Sequence, residues 1–320
     1  MRTLARTVLA MALLGLAVVE LRANDADTVR KLLARLEQSA DVSDRQDAFR
    51  KLNELGPSAK EAVPVLINAL RGKNAEVRQI ATNVLGKIGK TAVSDLTKAL
   101  TDENQVVRRQ ATIALAAVGP DAAPAIPVLA ANLTDKDKEL RGFAINALAR
   151  IDPEGKTAGH FFAQALKDTD AGVRLAAIYA LEPAGRSTES VVTQLATGLN
   201  DADRNVRIAT AAVLGRIGPP AKGALPALTT ALKDADPGVR IAVADVLVAL
   251  DSNRAAMALP VVTAGLKEQD AQVRRAAAYV LGQIGPGAKD AIPALSAALK
   301  DDSAEVRQAA SLALEKIRAK

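Results

Sequence analysis

Apolar residues recur at helical spacing in the stretch from Leu232 to Leu250. The positions that share one helical face are Val239, Ala242, Val243, Val246, Leu247 and Leu250. Asp236 precedes them as a good N-cap, because its carboxylate can accept the free N–H groups of the first turn. Pro237 suits the first helical position, where its missing N–H is not needed. The pattern predicts the end of one helix, a tight turn and a second, amphipathic helix.

The same phrase recurs along the chain, and each copy carries one arginine at the same place. These anchor arginines are Arg45, Arg78, Arg108, Arg141, Arg174, Arg207, Arg240, Arg274 and Arg307, spaced 30 to 34 residues apart. Four residues before each anchor stands an Asp, Asn or Ser, and seven residues after it stands a Leu. A helix pair cannot bury its apolar face alone, so this period predicts a stack of helix pairs that cover one another.

The first helix of each copy begins near a proline in many copies: Pro64, Pro127, Pro226, Pro260 and Pro293. Proline fits a helix only in its first turn, so these residues mark helix starts. Many second helices are followed by Gly, as in Ile217-Gly218, which is typical of a helix end. We expect both helices of each copy to be about ten to fifteen residues long.

The repeated phrase Leu-x-Asp-x-Asp-x-x-Val-Arg, seen at Leu199–Arg207 and with Ser303 at Leu299–Arg307, resembles the HEAT-repeat family. The likeness is to its bacterial branch, similar to phycobilisome-lyase repeats, over about residues 26–320. It implies an all-α, right-handed α-solenoid, an armadillo/HEAT-like superhelix of about nine helix pairs. Residues 24–57 would be an N-terminal capping helix pair, which is more polar, and residues 58–320 the HEAT-like repeats. In the fifth copy Pro183 should end the second helix about a turn early.

Residues 1–23 have the layout of a secretory signal peptide. Arg2 and Arg6 precede an apolar run, Thr7–Val19, and a cut after Ala23 is possible. This predicts export to the periplasm or secretion, with an uncleaved anchor or a buried cap helix as the alternatives. Cleavage after Ala23 would remove three arginines and one glutamate, so the formal net charge would fall from +6 to +4. The mature chain is expected to have no transmembrane span, because the run is too short to cross a bilayer comfortably.

The composition argues against an enzyme. There is no Cys and a single histidine, His160, so a Cys/His zinc site or a thiol nucleophile is excluded. There is no phosphate-binding Gly-Lys-Ser/Thr loop and no His-Glu pair of the kind used by iron-dependent hydroxylases with HEAT-like repeats. We expect no cofactor and no metal. Trp is absent and acids alternate with bases, so nucleic-acid binding is not expected either.

An acid stands six residues before most anchors, and together the two rows form a predicted structural ladder. Its members are Arg108, Arg141, Arg174, Arg207, Arg240, Arg274 and Arg307 with Asp102, Asp135, Asp168, Asp201, Asp234 and Asp301, and Glu268 occupies the same position. A planar guanidinium binds a carboxylate or turn carbonyls in a fixed orientation, so the ladder would tie each turn to its own or the next copy. An ion-binding row or a catalytic carboxylate array is the alternative.

Positions one, five and eight residues after each anchor lie opposite the apolar stripe and are expected to face a concave, partner-binding surface. The candidates there are Leu175, Tyr179, Ile208, Ile241, Asp245, Val248, Arg275 and Tyr279. An apolar patch with tyrosines and flanking charges favours a protein or peptide partner. Alternatively, tight curvature buries them between adjacent helices.

The sequence thus favours a non-catalytic scaffold for protein–protein interaction, with partner and oligomeric state undetermined. Two alternatives remain. The first, implied by the resemblance to lyase-like repeats, is a role in handling a chromophore or assisting a modification enzyme. The second is a purely architectural spacer, which a uniformly charged concave face would favour.

Overall fold

The computed structural model describes residues 26–319. The predicted signal peptide, residues 1–23, and its alternatives therefore lie outside the described residues. Residues 26–319 contain helices, turns and no strand, as expected for an all-α chain. The chain divides into two compact units, residues 1–153 and 154–320.

The first unit consists, from residue 26 onward, of four helix pairs. Its helices are α1 (Ala26–Gln38), α2 (Val42–Asn53), α3 (Val63–Ala69), α4 (Ala75–Ile88), α5 (Val93–Ala99), α6 (Gln105–Val118), α7 (Ile126–Ala131) and α8 (Lys138–Ile151). Short 3₁₀ segments cover Pro57–Ala62, Gly89–Ala92, Gly119–Ala125 and Asn132–Thr134.

The second unit consists, up to residue 319, of five helix pairs and one extra short helix. Its helices are α9 (Gly159–Ala165), α10 (Ala171–Ala180), α11 (Glu182–Gly185), α12 (Glu189–Ala196), α13 (Arg204–Ile217), α14 (Leu225–Ala231), α15 (Pro237–Leu250), α16 (Ala255–Gly265), α17 (Ala271–Ile284), α18 (Ile292–Ala298) and α19 (Ala304–Arg318). Its 3₁₀ segments cover Thr197–Asn200, Pro219–Ala224, Ser252–Arg254 and Gly285–Ala291. Across residues 26–319 the helices thus form the nine pairs that the period predicts.

All nine predicted N-caps are confirmed. The residues that cap the second helices are Asp41, Asn74, Asn104, Asp137, Asp170, Asp203, Asp236, Asp270 and Ser303, each accepting a backbone N–H of the first turn. Asp203, for example, accepts from the N–H of Asn205 at 2.7 Å and of Val206 at 3.3 Å. These bonds fix where each second helix begins.

Four second helices end at a glycine with positive φ, Gly89, Gly119, Gly218 and Gly285, at 63° to 74°. Their ψ values, near −140°, place them in a backbone region that is essentially restricted to glycine. The chain therefore reverses directly into the 3₁₀ segment that opens the next repeat.

The first helices are shorter than expected: in five pairs an α-helix of six or seven residues follows a 3₁₀ segment. The expectation of ten to fifteen residues was wrong for them. Four prolines, Pro64, Pro127, Pro226 and Pro293, lie in the first turn of the α-helical part. A proline there donates no backbone hydrogen bond, so regular α-helical bonding starts after it. Pro260 differs, because it lies inside α16.

The predicted break in the fifth repeat is confirmed. Helix α10 ends at Ala180 after ten residues, whereas α13, α15 and α17 each have fourteen. Pro183 then lies in the first turn of the separate four-residue helix α11. The cause is that Pro lacks the N–H that a continuing helix would need and clashes with the preceding turn.

The core lies between the second helices and the helices on either side of them within each unit. Every predicted leucine seven residues after an anchor is buried: Leu52, Leu85, Leu115, Leu148, Leu181, Leu214, Leu247, Leu281 and Leu314. Each repeat therefore covers the apolar face of its neighbour with the same row of side chains.

By length and composition alone, one stretch among the described residues, 105–134, is apolar enough to cross a membrane. It is not one continuous α-helix, because the chain turns at Gly119, where φ is 71°. Leu115 and Leu129, on the two sides of that turn, are fully buried in the first unit. Packing inside the fold thus accounts for part of the apolar character of the stretch.

Candidate functional site

The outer row is the set of residues five positions after each anchor arginine from Arg78 onward. Its members in the first unit are Asn83, Ile113 and Asn146, and those in the second unit are Tyr179, Ala212, Asp245, Tyr279 and Leu312. In the first unit the two asparagines are exposed and Ile113 is half-buried. In the second unit Tyr179, Tyr279 and Leu312 are 50%, 53% and 50% exposed. Large exposed apolar side chains on this row are thus a property of the second unit.

Two of the predicted surface residues are not on the surface. Ile241 is only 3% exposed and Val248 only 9% exposed, so the expectation that they face an open groove was wrong. The Ile241 side chain lies over Gly265, where an added methyl group would come within 2.6 Å of its Cδ1 atom. Ile241 therefore fills the joint between α15 and α16.

Val248 is buried because the position eight residues after an anchor faces the next second helix. Three repeats have glycine there, and in each a methyl group would clash with that helix or contact it very tightly. On Gly86, Gly215 and Gly282 it would lie 2.7 Å from Ala117 Cβ, 3.0 Å from Val246 Cγ2 and 3.1 Å from Ala313 Cα. The exposed residue is the ninth, as at Arg216, Ala249 and Gln283. The assignment of helical faces from the sequence was therefore wrong by one residue at this end of the helix.

The remaining predicted surface residues are accessible to different extents. Leu175, Ile208 and Asp245 are half-buried, whereas Arg275 is exposed like Tyr279. Leu312 was not among the site candidates, although its position in the row, equivalent to Tyr279, could have identified it.

A cavity of about 530 Å³ lies between α17 and α19. Tyr279, Leu312 and Ala309 contribute apolar surface to it, and Arg275, Glu305 and Lys316 contribute charge. Arg275 Nε donates to Gln272 Oε1 at 3.0 Å, and Gln272 Nε2 donates to Glu305 Oε2 at 3.2 Å. The cavity thus combines an apolar centre with charged and polar groups, which is the composition of surfaces that bind polypeptides.

At the other end of the second unit, Tyr179 is covered on one face by a cation. The Arg216 guanidinium lies 5.5 Å from the Tyr179 ring centroid, within the range of a cation–π interaction. Arg216 Nε also binds Glu182 at 2.7 Å, and Arg186 binds the same carboxylate at 2.9 Å. Burial tends to raise the pKa of Glu182, but the two arginines outweigh it and hold the pKa below its usual value.

The anchor arginines bind the turns of their own repeats. In each, Nη1 donates to the carbonyl oxygen six residues earlier, as in Arg174 to Asp168 at 2.8 Å and Arg207 to Asp201 at 2.8 Å. A second bond often reaches the carbonyl five residues earlier, as in Arg240 to Ala235 at 3.0 Å. These bonds hold the turn that joins the two helices.

The same arginines also reach the acid of the next repeat. Arg174 binds Asp201 through Nε at 2.7 Å and Nη2 at 2.6 Å, and Arg207 binds Asp234 at 2.7 and 3.0 Å. The corresponding contacts elsewhere are Arg274 to Asp301 at 2.7 and 2.9 Å, Arg240 to Glu268 at 2.9 Å and Arg108 to Asp135 at 3.1 Å. Each of the four aspartates also accepts the N–H of its own helix cap, as Asp234 does from Asp236 at 2.8 Å. One carboxylate thus joins two repeats.

The remaining ladder residues show variations on this scheme. Asp102 is bound by Arg71, with Arg71 Nη1 at 3.0 Å, rather than by the anchor Arg78. Arg141 Nη1 donates to the Asp135 carbonyl at 2.9 Å, and Arg307 Nη1 donates to the carbonyls of Asp301 and Asp302. The Asp168 carboxylate accepts the Asp170 N–H at 2.8 Å.

The ladder contacts shift pKa values in the directions that ion pairing requires. Burial tends to raise the pKa of Asp201 and Asp234, but hydrogen bonds from Arg174 and Arg207 and from backbone N–H groups outweigh it, and both pKa values are lowered. For Asp301 the hydrogen bond from Arg274 is the main cause of its lowered pKa. All three carboxylates are therefore ionised partners of the arginines at neutral pH.

A family model described as HEAT repeats matches residues 29–116, 93–182, 126–197, 192–260 and 259–320. The chain belongs to the HEAT-repeat family. The matches together cover nearly all of the described residues, so the helix pairs of both units are HEAT repeats. A comparison with curated proteins gave no match.

Solved structures with a similar fold agree with this assignment. An X-ray structure of Escherichia coli YibA is 19% identical with a TM-score of 0.62, and the alignment covers 88% of this chain and all of that one. An engineered protein is 23% identical, with a TM-score of 0.50 and coverage of 91% and 89%. Kap95p, solved with RanGDP, is 14% identical with a TM-score of 0.59; the alignment covers 91% of this chain but only 48% of Kap95p. At these identities the likeness shows the helical-repeat fold alone.

Histidine 160 lies at the start of the first helix of the fifth HEAT repeat, in contact with Phe161 at a ring-centroid distance of 3.7 Å. It lines a cavity of about 570 Å³, with Ser187 and Thr188 among the other lining residues. In the part of the chain that the structure describes, no three His, Cys, Asp or Glu residues are grouped so as to hold a metal ion.

Proposed function

We propose that this protein is a non-catalytic HEAT-repeat scaffold that binds a protein or peptide through the outer row of its second unit. The observation that carries the proposal is the exposure of Tyr179, Tyr279 and Leu312 at equivalent repeat positions. Large side chains that are half exposed contribute little to the stability of the repeats, but they supply contact area to a partner.

The groove between α17 and α19 favours a polypeptide partner over a small molecule. Tyr279 and Leu312 offer apolar contacts, while Arg275, Glu305 and Lys316 are placed to bind the charged or backbone groups of an extended or helical segment. The first unit has Asn83 and Asn146 at the same row, so it serves as an internal comparison.

The proposed scaffold acts after export, as residues 1–23 suggest. N-terminal sequencing of the protein purified from its native cells should find Asn24 as the first residue. Finding Met1 in protein recovered from the cytoplasmic fraction would remove export from the proposal without affecting the binding surface.

Site-specific photo-cross-linking tests the binding surface. A benzoylphenylalanine placed at Leu312 or Tyr279 in native cells should give a discrete cross-linked polypeptide, because a bound partner lies against the groove. The same probe at Asn83 is the matched control, since it occupies the same repeat position in the first unit. The Tyr179, Tyr279 and Leu312 to Ser triple variant should abolish the cross-link from a probe at Arg275 while retaining its helical content.

Cross-linking of equal yield and identical product at Asn83 and Leu312 would contradict a binding surface confined to the second unit. Loss of thermal stability in the triple variant comparable to that of a core substitution would show that the three side chains serve folding instead.

A further inference from the structure

Asp245 is the acidic member of the outer row, and it differs from the ladder carboxylates in having no partner. Among the described residues, no arginine, lysine or backbone N–H makes a hydrogen bond or ion pair with its side chain. Asp245 is half-buried, and this burial raises the pKa of its carboxyl group. An uncompensated carboxylate in such a position costs folding free energy.

The HEAT framework does not require a carboxylate at this place. The equivalent residues in the two neighbouring repeats are Ala212 and Tyr279. A residue that opposes folding and is not needed by the repeat is a candidate for a role in binding.

Asp245 lines a small cavity. A cavity of about 250 Å³ between α15 and α17 is lined by Asp245, Tyr279 and Val280 among others. The half-exposed Tyr279 also borders the larger groove between α17 and α19, so the two cavities meet at this side chain.

The other charged groups lining this cavity are already engaged. Arg204 binds Asp236, with Nε to Oδ2 at 3.0 Å, and Asp270 caps α17 by accepting the Gln272 N–H at 2.8 Å. On the next helix Arg275 donates to Gln272 rather than to Asp245. Asp245 is therefore the charged residue of this cavity whose side chain has no partner among the described residues, and it lines the cavity together with an aromatic ring.

We propose that Asp245 and Tyr279 together bind one basic side chain, lysine or arginine, of the partner polypeptide, whose apolar residues occupy the adjacent groove along α17 and α19. This inference rests on the proposed function. A lysine ammonium or arginine guanidinium would form a charge-assisted hydrogen bond with the carboxylate and interact with the face of the tyrosine ring.

Selection from a display library of random nine-residue peptides, with the full chain immobilised, tests this proposal. Peptides selected on the wild-type chain should share a Lys or Arg at a fixed distance from an apolar residue. On Asp245→Asn the basic preference should disappear while the apolar preference remains. Asp290→Asn, an exposed site in the same unit with the same charge change, should select the wild-type pattern.

A selected peptide then gives a double-mutant cycle. Replacing its basic residue by Gln should weaken binding about tenfold to the wild-type chain but less than about twofold to Asp245→Asn. Asp245→Asn should fold and have a melting temperature at least as high as the wild type at pH 7, which keeps a binding loss from being a folding loss.

The outcomes separate the two proposals. Two results would overturn the proposal for Asp245 and leave the scaffold proposal standing. One is selection of apolar peptides without a basic residue, and the other is equally weakened peptide binding to the wild-type chain and to Asp245→Asn. Recovery of no enriched peptide by the wild-type chain would count against both. Both proposals would be supported by two results together. The variant with Tyr179, Tyr279 and Leu312 replaced by Ser selects no peptide, and Asp245→Asn loses only the preference for a basic residue.

Discussion

At the scale of single residues, Arg207 shows how one side chain serves two repeats. Its Nη1 atom holds the turn of its own repeat through the Asp201 carbonyl, and its Nε and Nη2 atoms hold Asp234 of the next. The guanidinium can do both because its five N–H donors lie in one plane and point in different directions. A lysine at this position has no comparable fork.

Removal of the Arg207 guanidinium should lower the stability of the folded protein. Arg207→Ala leaves the half-buried Asp234 without its cation, and we expect a loss of about 2 kcal/mol in the free energy of unfolding by urea. Arg307→Ala is the matched control, because among the described residues Arg307 has only its own turn carbonyls as partners, and it should cost clearly less. Equal losses would mean that the carboxylate bond contributes nothing.

The ladder also predicts the dependence of stability on pH. The lowered pKa values of Asp201, Asp234 and Asp301 mean that protons bind these groups more weakly in the folded state than in the unfolded state, where the value is 3.8. Their contribution is therefore complete above pH 3.8 and is lost as the pH falls through the lower folded-state values. We expect the urea midpoint to decline steeply below about pH 4. The difference between wild type and Arg207→Ala should shrink over the same interval, and a constant difference would contradict the assignment.

At the scale of helices, small residues set how closely neighbouring second helices approach. Gly86 in α4 faces Ala117 of α6, and Gly282 in α17 faces Ala313 of α19. The lack of a side chain at these contacts lets the helices pack closely, although glycine is a poor helix former. The gain in packing offsets the loss in helix propensity only where another helix lies directly opposite.

A pair of glycine substitutions within the first unit tests this explanation. Gly86→Ala should destabilise the protein by about 1–3 kcal/mol, because its methyl group would lie 2.7 Å from Ala117 Cβ. Gly142→Ala in α8 should stabilise it by about 1 kcal/mol, because no atom lies within 4 Å of the new methyl group. Chemical denaturation of both variants measures the difference, and the same sign for both would refute the packing argument.

At the scale of the whole molecule, each repeat contacts mainly its neighbours in sequence within its own unit. Stability in such a chain is close to a sum of repeat and interface contributions, so local damage stays local. The buried Ile241, between α15 and the end of α16, is a suitable place to test this.

Ile241→Ala should lower stability by about 3 kcal/mol, since it leaves a cavity over Gly265. In hydrogen-exchange mass spectrometry, amide protection should fall in residues 225–284 and remain unchanged in residues 63–118. Tyr279→Ala removes a similar apolar group from an exposed position and should leave protection unchanged in both ranges. Uniform loss of protection along the chain after Ile241→Ala would show a cooperative rather than a local response.

The repeated features of the fold could be predicted because they depend on local interactions. N-caps such as Asp236, the glycine helix ends such as Gly218 and the break at Pro183 need only a few neighbouring residues to form. The lengths of the first helices were missed because their prolines were interpreted only as marks of helix starts, whereas a proline such as Pro226 also delays regular α-helical bonding.

The surface was predicted only in part because the direction of a side chain depends on its neighbours in space. Tyr279 and Ile241 belong to the same predicted surface, yet one is half exposed and the other buried. The difference comes from Gly265, which leaves space for Ile241. Gly265 belongs to the adjoining helix, so the residue pattern within the helix of Ile241 does not include it.

The amino-acid sequence by itself determined the helix pairs, their caps and their period, because each depends on interactions within one repeat. Only the tertiary structure decided which carboxylates are neutralised. Asp234 is held by Arg207 of the preceding repeat, whereas no partner reaches Asp245 among the described residues. That distinction depends on distances between side chains of different helices, which no spacing along a single chain specifies.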